Sequence, residues 1–181
     1  MARVFLAFPA NAMVEANAAR LAAALADAEF EGRPVPVHQL HMTLLFLGDG
    51  VHLNQDFLDF VDRAVTAATA TFPWPALRLT RWVGLPDKWT PSAVGIGPGR
   101  PAAPLHTLYE RLAFQLHDLG LFAPRLVPHL TLMRPRQTGH WNRLPPIAVT
   151  FPLNRLVLYE SHLSRRGALH TPLHMWSALR P

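Results

Sequence analysis

The chain of 181 residues contains no cysteine and only one lysine, Lys88. The lack of cysteine excludes disulfide bonds, a thiolate nucleophile and every metal site built on thiolates. No apolar run approaches the roughly 20 residues that a membrane-spanning helix needs. Pro9 ends the first apolar segment after Phe8, which leaves it shorter than the ~7–15 residues of a secretion-signal core. The sequence therefore predicts a cytoplasmic protein that makes no contact with a membrane.

Acidic residues are almost missing from the last third of the chain. Residues 121–181 hold eight arginines and one acid, Glu160, whereas residues 1–120 hold nine basic and eleven acidic residues. A genome that favours arginine codons would explain the ratio of arginine to lysine, but it would not explain the missing acids. Because a guanidinium group binds two phosphate oxygens at once and stays protonated, this distribution favours a polyanionic ligand.

The apolar fraction of 50% predicts a packed core, and 18 prolines divide the chain into short elements. Alternation predicts strands at 3–8, 36–48, 77–83, 92–96, 125–134, 147–152, 154–161 and 169–178. Helical spacing predicts helices at 11–30, capped by Asn11, at 54–70, and at 102–120, ending at Gly120. The connections are short, apart from a proline-rich loop at 135–146. We therefore expect one α+β domain over residues 1–181, with mostly antiparallel sheet.

One short segment occurs twice, as HMTL at 41–44 and HLTL at 129–132, with an offset of 88 residues. Side chains alternate between the faces of a strand, so the histidine and the threonine of each copy share one face. The repeat predicts two related halves whose imidazoles, His41 and His129, face each other across a groove. Thr43 and Thr131 would lie beside them.

Two imidazoles and two hydroxyls suit the cleavage of a phosphodiester without a metal. A neutral imidazole can take a proton from water, an imidazolium can protonate the leaving oxygen, and hydroxyls can hold the other phosphate oxygens. Among ten histidines, a single H-x-T would be incidental, but two copies on strands favour a paired site.

A metal site is the other functional interpretation of the histidines. The usual zinc spacings are absent. His38 and His41 are predicted on opposite faces of a strand, and His170 and His174 share a face with no acid nearby in sequence. We expect no metal and no other cofactor.

The stretches HMTLLFLG at 41–48 and PHLTLMR at 128–134 resemble the two motifs of the two-histidine phosphoesterases. Within that superfamily the chain is most similar to the RNA 2′,3′-cyclic phosphodiesterases, also called 2′-5′ RNA ligases. RVFLAFP at 3–9 and LVLYES at 156–161, followed by Trp176, extend the resemblance over nearly the whole chain. It implies a bilobed, duplicated fold in which two mostly antiparallel sheets line a central cleft, with helices packed outside.

The resemblance also implies roles for the paired residues. His41 would donate a proton to the 3′ oxygen of a 2′,3′-cyclic phosphate, and His129 would be the base that activates water, giving a 2′-phosphate. Thr43 and Thr131 would hold the phosphate. The chain departs from the family at 33–38, where an aromatic-containing stretch is usual, and at His170, where relatives often carry tyrosine.

Arg134 matches a basic position of the second motif. Strict alternation places it on the face opposite His129, so it reaches the phosphate only if the strand ends or bulges near Pro135. Trp141, in the proline-rich loop, is a candidate for stacking on a base, whereas Phe8 fits the core better. The candidates for contacts to the RNA backbone are Arg136, Arg143, Arg165 and Arg166. Tyr159, Glu160 and Trp176 are interpreted as structural.

The expected partner is an RNA with a 2′,3′-cyclic phosphate end, or a nucleotide-like substrate, bound by a monomer. The expected reaction is hydrolysis, whose reversal would appear as 2′-5′ RNA ligation. Two alternatives stay open. The chain could be an RNA-end binding module of the same fold without turnover, or a phosphodiesterase of 2′-5′ oligonucleotides or small cyclic nucleotide phosphates.

Overall fold

The computed structural model describes residues 3–120, 125–164 and 167–178. In these ranges the strands are β1 (Arg3–Pro9), β2 (Glu31–Pro34), β3 (His41–Asp49), β4 (Ala76–Leu85), β5 (Ala93–Pro98), β6 (Leu130–Gln137), β7 (Val149–Pro152), β8 (Arg155–Ser164) and β9 (Gly167–Ser177). The helices are α1 (Ala12–Asp27), α2 (Gln55–Thr69) and α3 (Ala103–Gln115). Single 3₁₀ turns lie at Val37–Gln39, His117–Leu119 and Trp141–Arg143.

The strands form two antiparallel sheets, one with the order β3-β1-β8-β9 and the other with the order β2-β6-β5-β4-β7. The predicted α+β class and the duplicated, two-sheet architecture are confirmed. In the first sheet Ala7 of β1 pairs with Thr43 of β3, and in the second Gly95 of β5 pairs with Thr131 of β6. Ala7 and Gly95 are 88 residues apart, as the two motifs are. The repeat therefore includes the strand beside each motif.

The helices connect the two sheets into one core. Helix α1 follows β1 of the first sheet but contacts β6 and β7 of the second, whereas α3 follows β5 and contacts β3 and α2. Buried side chains of both sheets, among them Leu6, Met42, Ile96 and Leu130, belong to one hydrophobic cluster. Because each lobe is covered by a helix that the other lobe supplies, neither sheet has a core of its own.

Asparagine side chains define where the first two helices begin. The Asn11 side-chain oxygen accepts a hydrogen bond from the Val14 amide at 2.9 Å, as the sequence predicted, and Asn54 accepts one from the Phe57 amide at 2.9 Å. Such caps satisfy amides that have no partner within the helix. None of the described helices combines the length and the apolarity that crossing a membrane requires.

Several predicted boundaries are wrong because proline and sheet pairing override the local pattern. The strand predicted at 36–48 begins only at His41, since Val37–Gln39 forms a 3₁₀ turn, and the predicted break at 32–34 lies in strand β2. The strand predicted at 125–134 instead covers Leu130–Gln137 and includes Pro135, a position predicted to be loop. Helix α3 ends at Gln115, five residues early, and Gly120 follows the next 3₁₀ turn with a left-handed φ of 67°.

Candidate active site

Strands β3 and β6 each contain a bulge one residue after the motif threonine. On β3 the pairing with β1 skips Leu44, and on β6 the pairing with β5 skips Leu132. The bulge residues Leu44 and Leu132 are buried, and so are the residues that follow them, Leu45 and Met133. An extra residue in one strand reverses the alternation that follows it.

The bulge decides where Arg134 points. Alternation alone would place the Arg134 side chain on the face of the strand away from His129. The extra residue at Leu132 returns Arg134 to the face of Thr131, and Arg134 lines the same cavity as the motif residues. The bulge that the sequence analysis required is therefore present, at Leu132 instead of at Pro135. In the first repeat Phe46 occupies the equivalent position, also 88 residues earlier, and it lines the adjoining part of the cleft.

Both histidine–threonine pairs open onto one cleft of about 660 Å³, including its open mouth. The cleft is lined by Arg33, Pro34, Val35, Pro36, Gln39, His41, Thr43, His129, Thr131, Arg134, Ala168 and His170. Among these described lining residues none is acidic, so the electrostatic character of the cleft favours an anion. Within the described residues, no three histidine or acidic side chains converge in a way that could hold a metal ion.

The two motif imidazoles are oriented by the same kind of hydrogen bond. The Nδ1 atom of His41 lies 2.7 Å from the Gln39 carbonyl oxygen, and that of His129 lies 2.7 Å from the Val127 carbonyl oxygen. A carbonyl oxygen only accepts, so Nδ1 of each ring carries the proton and donates it. In the neutral form, Nε2 of both rings is then left as a proton acceptor.

Burial favours the neutral form of both imidazoles. It lowers the pKa of His41 from the ordinary value of 6.5 to about 4, against the opposing effect of the Gln39 hydrogen bond, and the nearby His170, His129 and Arg134 lower it further. Burial also lowers the pKa of His129, and the charge of Arg134 adds to this effect. At neutral pH both rings of the free protein are therefore uncharged.

His170 is a third imidazole in the cleft. Its ring lies edge-on to that of His41, with 5.1 Å between the centroids, and 5.2 Å from the ring of Phe5. The Tyr159 ring completes this aromatic group. Nδ1 of His170 is buried and has no hydrogen-bond partner among the described residues, while the residue lines the cleft.

The prediction that His170 and His174 share a face is wrong. On β9, His174 pairs with Leu158 and Pro172 pairs with Tyr159, so Leu173 forms a bulge that places the two histidines on opposite faces. His174 instead lies 3.4 Å from a carboxylate oxygen of Asp62 on α2, outside the cleft. His38 lies in a 3₁₀ turn, not in the strand of His41 as predicted.

Arg33 and Gln39 also line the cleft, although nothing in the sequence pattern indicated them. Arg33 lies on β2, directly opposite Arg134 of β6, and Gln39 orients His41. Pairing between β2 and β6 joins residues a hundred positions apart. No local pattern in the sequence indicates it.

Trp141 does not lie in the cleft. Its ring packs edge-on against Phe30 at 5.0 Å, its Nε1 donates to the Lys88 carbonyl oxygen at 3.0 Å, and the Lys88 ammonium lies over the ring. Because Trp141 is not among the described lining residues of the cleft, its stacking on a base stays a prediction. Phe8 is buried against Phe72 in the core, as its alternation indicated.

The other arginines selected as RNA contacts are not among the described lining residues of the cleft. Arg136 is exposed near the end of β6, and Arg143 forms an ion pair with Glu29, whose carboxylate also contacts His140. The guanidinium group of Arg143 holds the pKa of Glu29 below its ordinary value. Arg165 and Arg166 lie outside the described residues.

Comparisons with known proteins agree with this geometry. A curated RNA 2′,3′-cyclic phosphodiesterase of Thermus thermophilus is 32% identical over 174 residues, which covers 86% of this chain and 83% of that protein. A crystal structure from the same organism superposes with a TM-score of 0.78 at 26% identity, covering 97% of both chains. Escherichia coli LigT complexed with 3′-AMP gives a TM-score of 0.71 at 25% identity over 98% of both chains. No family profile matches the chain.

Proposed function

Because the chain belongs to the RNA 2′,3′-cyclic phosphodiesterases of the two-histidine phosphoesterase superfamily, we propose that it hydrolyses RNA 2′,3′-cyclic phosphate ends to 2′-phosphomonoesters without a metal ion. The observation that carries the proposal is that His41, Thr43, His129 and Thr131 line one cleft. A phosphorus centre bound there would contact groups from both halves of the repeat.

The phosphate would be held by neutral and cationic donors. The hydroxyls of Thr43 and Thr131 donate to its non-bridging oxygens, and the guanidinium group of Arg134 supplies the positive charge. Since the described lining residues include no carboxylate, nothing in the cleft repels the anion. These donors also stabilise the charge that develops on the phosphoryl oxygens as water attacks.

The two imidazoles would move the protons of the reaction. Nε2 of His129 takes a proton from water as its oxygen bonds to phosphorus, the bond from phosphorus to the 3′ oxygen breaks, and Nε2–H of His41 protonates that oxygen. The product is a 2′-phosphate with a free 3′-hydroxyl. Each positioned acid or base contributes typically 10²–10⁴-fold to such a step.

His41 must gain a proton before it can act as an acid. Its depressed pKa of about 4 describes the free protein. A phosphate anion bound beside the ring favours the imidazolium and so raises this pKa. Binding of the substrate would therefore prepare its own general acid, and the proton that His129 takes from water would return to His41 through solvent after each turnover.

His170 would act as a neutral hydrogen-bond donor to the substrate. Its buried Nδ1 has no acceptor within reach in the described part of the chain, so a proton there would be left without a partner, at a considerable cost in free energy. The neutral ring therefore carries its proton on Nε2, at the edge that meets the cleft. This tautomer is the reverse of that of His41 and His129, whose Nδ1 atoms donate to carbonyl oxygens.

Ligation would follow from the same chemistry. If a 5′-hydroxyl takes the place of water, its attack on the cyclic phosphate forms a 2′-5′ linkage and releases the 3′ oxygen to His41. The linked product is then cleaved by the reverse of this step, with His41 as the base.

The proposal is tested by turnover of an oligonucleotide that ends in a 2′,3′-cyclic phosphate, in the presence of EDTA. We expect hydrolysis by the wild-type chain and a loss of 10²–10⁴-fold in kcat for His41→Ala and for His129→Ala, with an unchanged circular dichroism spectrum. His38→Ala removes an exposed histidine next to the site and serves as the control. Binding of the oligonucleotide without turnover by the wild type would instead support a binding module, and full activity of either alanine variant would contradict the proposal.

A further inference from the structure

Two arginines lie side by side in the cleft. Arg33 of β2 pairs directly with Arg134 of β6, and the side chains of directly opposite residues project from the same face of a sheet, roughly 5 Å apart at Cβ. Both line the cleft with the two motif histidines. Arg134 also lines the adjoining part of the cleft beside Phe5 and Phe46, whereas Arg33 lines only the part that contains both motif histidines.

No carboxylate neutralises this pair in the described part of the chain, where neither arginine has an ion pair with an acid. Like charges directly opposite on neighbouring strands destabilise a sheet. The charge of Arg33 lowers the pKa of Arg134, adding to the larger effect of burial. Two unneutralised guanidinium groups at this position therefore favour the binding of anions.

The backbone fixes the pair. At Gly32 strand β2 runs so close to β6 that an added Cβ would collide with the Arg134 carbonyl oxygen and lie 2.6 Å from the Cα of Pro135. The Val35 amide donates to the Leu132 carbonyl oxygen at 2.9 Å. This hydrogen bond continues the contact between the chain after β2 and strand β6 as far as the bulge residue. The bulge that turns Arg134 into the cleft and the close approach at Gly32 thus bring the two arginines together.

One phosphate does not satisfy both charges. A 2′,3′-cyclic phosphate carries a single negative charge, and in the proposed function it lies between the threonines, beside Arg134. Arg33, on the edge strand β2, is then available to bind a second anion. An RNA chain supplies one at the next internucleotide linkage, whereas a mononucleotide supplies none.

Resting on the proposed function, we propose that Arg33 binds the internucleotide phosphate next to the cyclic phosphate, so that an RNA chain is a better substrate than a mononucleotide. Arg134 then serves the reacting phosphate and Arg33 the neighbouring one. This second phosphate subsite makes Arg33 a specificity-determining residue that has no contact with the reacting atoms.

The test compares two dinucleotides that end in the same 2′,3′-cyclic phosphate. One has a normal internucleotide phosphate, and the other has a neutral methylphosphonate in its place. We expect kcat/KM of the wild type to be about tenfold higher for the charged dinucleotide, which is the effect of one charge-assisted hydrogen bond. In Arg33→Ala the ratio falls towards one, and in Arg33→Lys it lies between.

Arg20→Ala removes one positive charge from the exposed face of α1 and serves as the matched control, which keeps the wild-type ratio. A second readout is the dependence on salt. For the charged dinucleotide, the slope of log kcat/KM against log salt concentration becomes shallower by about 0.7 in Arg33→Ala, as the loss of one phosphate contact on a single strand predicts.

Equal kcat/KM for the two dinucleotides in the wild type, or an unchanged ratio in Arg33→Ala, would overturn the subsite. Binding of the same dinucleotides to the His41→Ala variant gives the ratio without turnover. If the wild type turns over neither dinucleotide, the proposed function fails, and the binding ratio still decides whether Arg33 recognises the second phosphate.

Discussion

The imidazoles of His41 and His129 are held by equivalent hydrogen bonds but lie in unequal surroundings. Each Nδ1 donates to the carbonyl oxygen two residues earlier. The ring of a third histidine, His170, lies edge-on beside the ring of His41. With a pKa of about 4, His41 depends on a bound anion for its protonation at neutral pH. This difference fits the proposed role of His41 as the acid that substrate binding prepares.

The proposed donor function of His170 can be separated from its packing role by two amide variants. Glutamine places its amide group near the position of Nε2 and asparagine near that of Nδ1. We expect His170→Gln to keep most of the wild-type kcat/KM and His170→Asn to lose about tenfold, since the second variant offers no donor to the cleft. Steady-state kinetics on the cyclic-phosphate oligonucleotide measure both. Equal losses in the two variants would mean that the ring only packs against Phe5 and Tyr159.

The buried histidines make stability depend on pH. The pKa of His41 is about 4 in the folded chain and ordinary in the unfolded chain, so only the unfolded chain takes up this proton between pH 6.5 and 4. The contribution of neutral His41 to the free energy of unfolding is present above pH 6.5 and is lost as the pH falls towards 4. Urea unfolding at several pH values measures this decline.

We expect the decline to be shallower in His41→Gln, with exposed His38→Gln as the control. A decline of the same steepness in His41→Gln would show that another group causes it.

At the scale of the strands, the bulges decide which side chains reach the cleft. Alternation predicted His41, Thr43, His129 and Thr131 because each pair is only two residues apart, before its bulge. Beyond the bulge, alternation no longer predicted the face of a side chain correctly, and for Arg134 it left the face open. The bulge on β9 likewise separated His170 from His174, which alternation had placed on one face. Bulges depend on pairing with another strand, and a single segment does not specify them.

The strands beside the two motifs differ in how much room they leave. An added Cβ at Gly95 would collide with the Leu130 carbonyl oxygen, whereas Ala7 fits at the equivalent position of β1, fully buried opposite Thr43. We expect Gly95→Ala to destabilise the protein by ~2 kcal/mol and to raise KM, because β6 must move away and carries Thr131 with it.

Urea unfolding and steady-state kinetics check these effects, and Ala7→Gly is the control. Ala7→Gly introduces no collision, so we expect only the loss of roughly 0.5–1 kcal/mol that glycine causes in a strand, with KM unchanged. A Gly95→Ala variant as stable and active as the wild type would contradict the close approach of β5 and β6.

At the scale of the whole molecule, the crossed helices connect the lobes. Helix α1 packs on the second sheet and α3 on the first. The sequence predicted the order of strands and helices apart from β2, and its repeat predicted two related halves. It did not predict that α1 and α3 would each cover the other lobe, because helical periodicity shows that a face is buried without showing what covers it. The placement of Trp141 against Phe30 and Lys88 was missed for the same reason.

We propose that the two lobes form a single domain, and the shared core makes this testable. Thermal unfolding should be one cooperative transition, with the same midpoint by far-ultraviolet circular dichroism and by tryptophan fluorescence. Trp82 reports on the second sheet, through its hydrogen bond to the Pro145 carbonyl oxygen, and Trp176 reports on the first, through its bond to Asp62. Two separated transitions would contradict a single domain. The expected monomeric state and cytoplasmic location stay predictions.

The proposed mechanism requires two imidazoles, one from each lobe, to act on one phosphorus atom. The most direct measurement is ³¹P NMR of the product formed from an oligonucleotide with a 2′,3′-cyclic phosphate end, in ¹⁸O-labelled water containing EDTA. We predict a 2′-phosphomonoester with one ¹⁸O atom on phosphorus, since His41 protonates the 3′ oxygen and His129 delivers one water. A 3′-phosphomonoester, or an unchanged cyclic phosphate, would contradict this assignment.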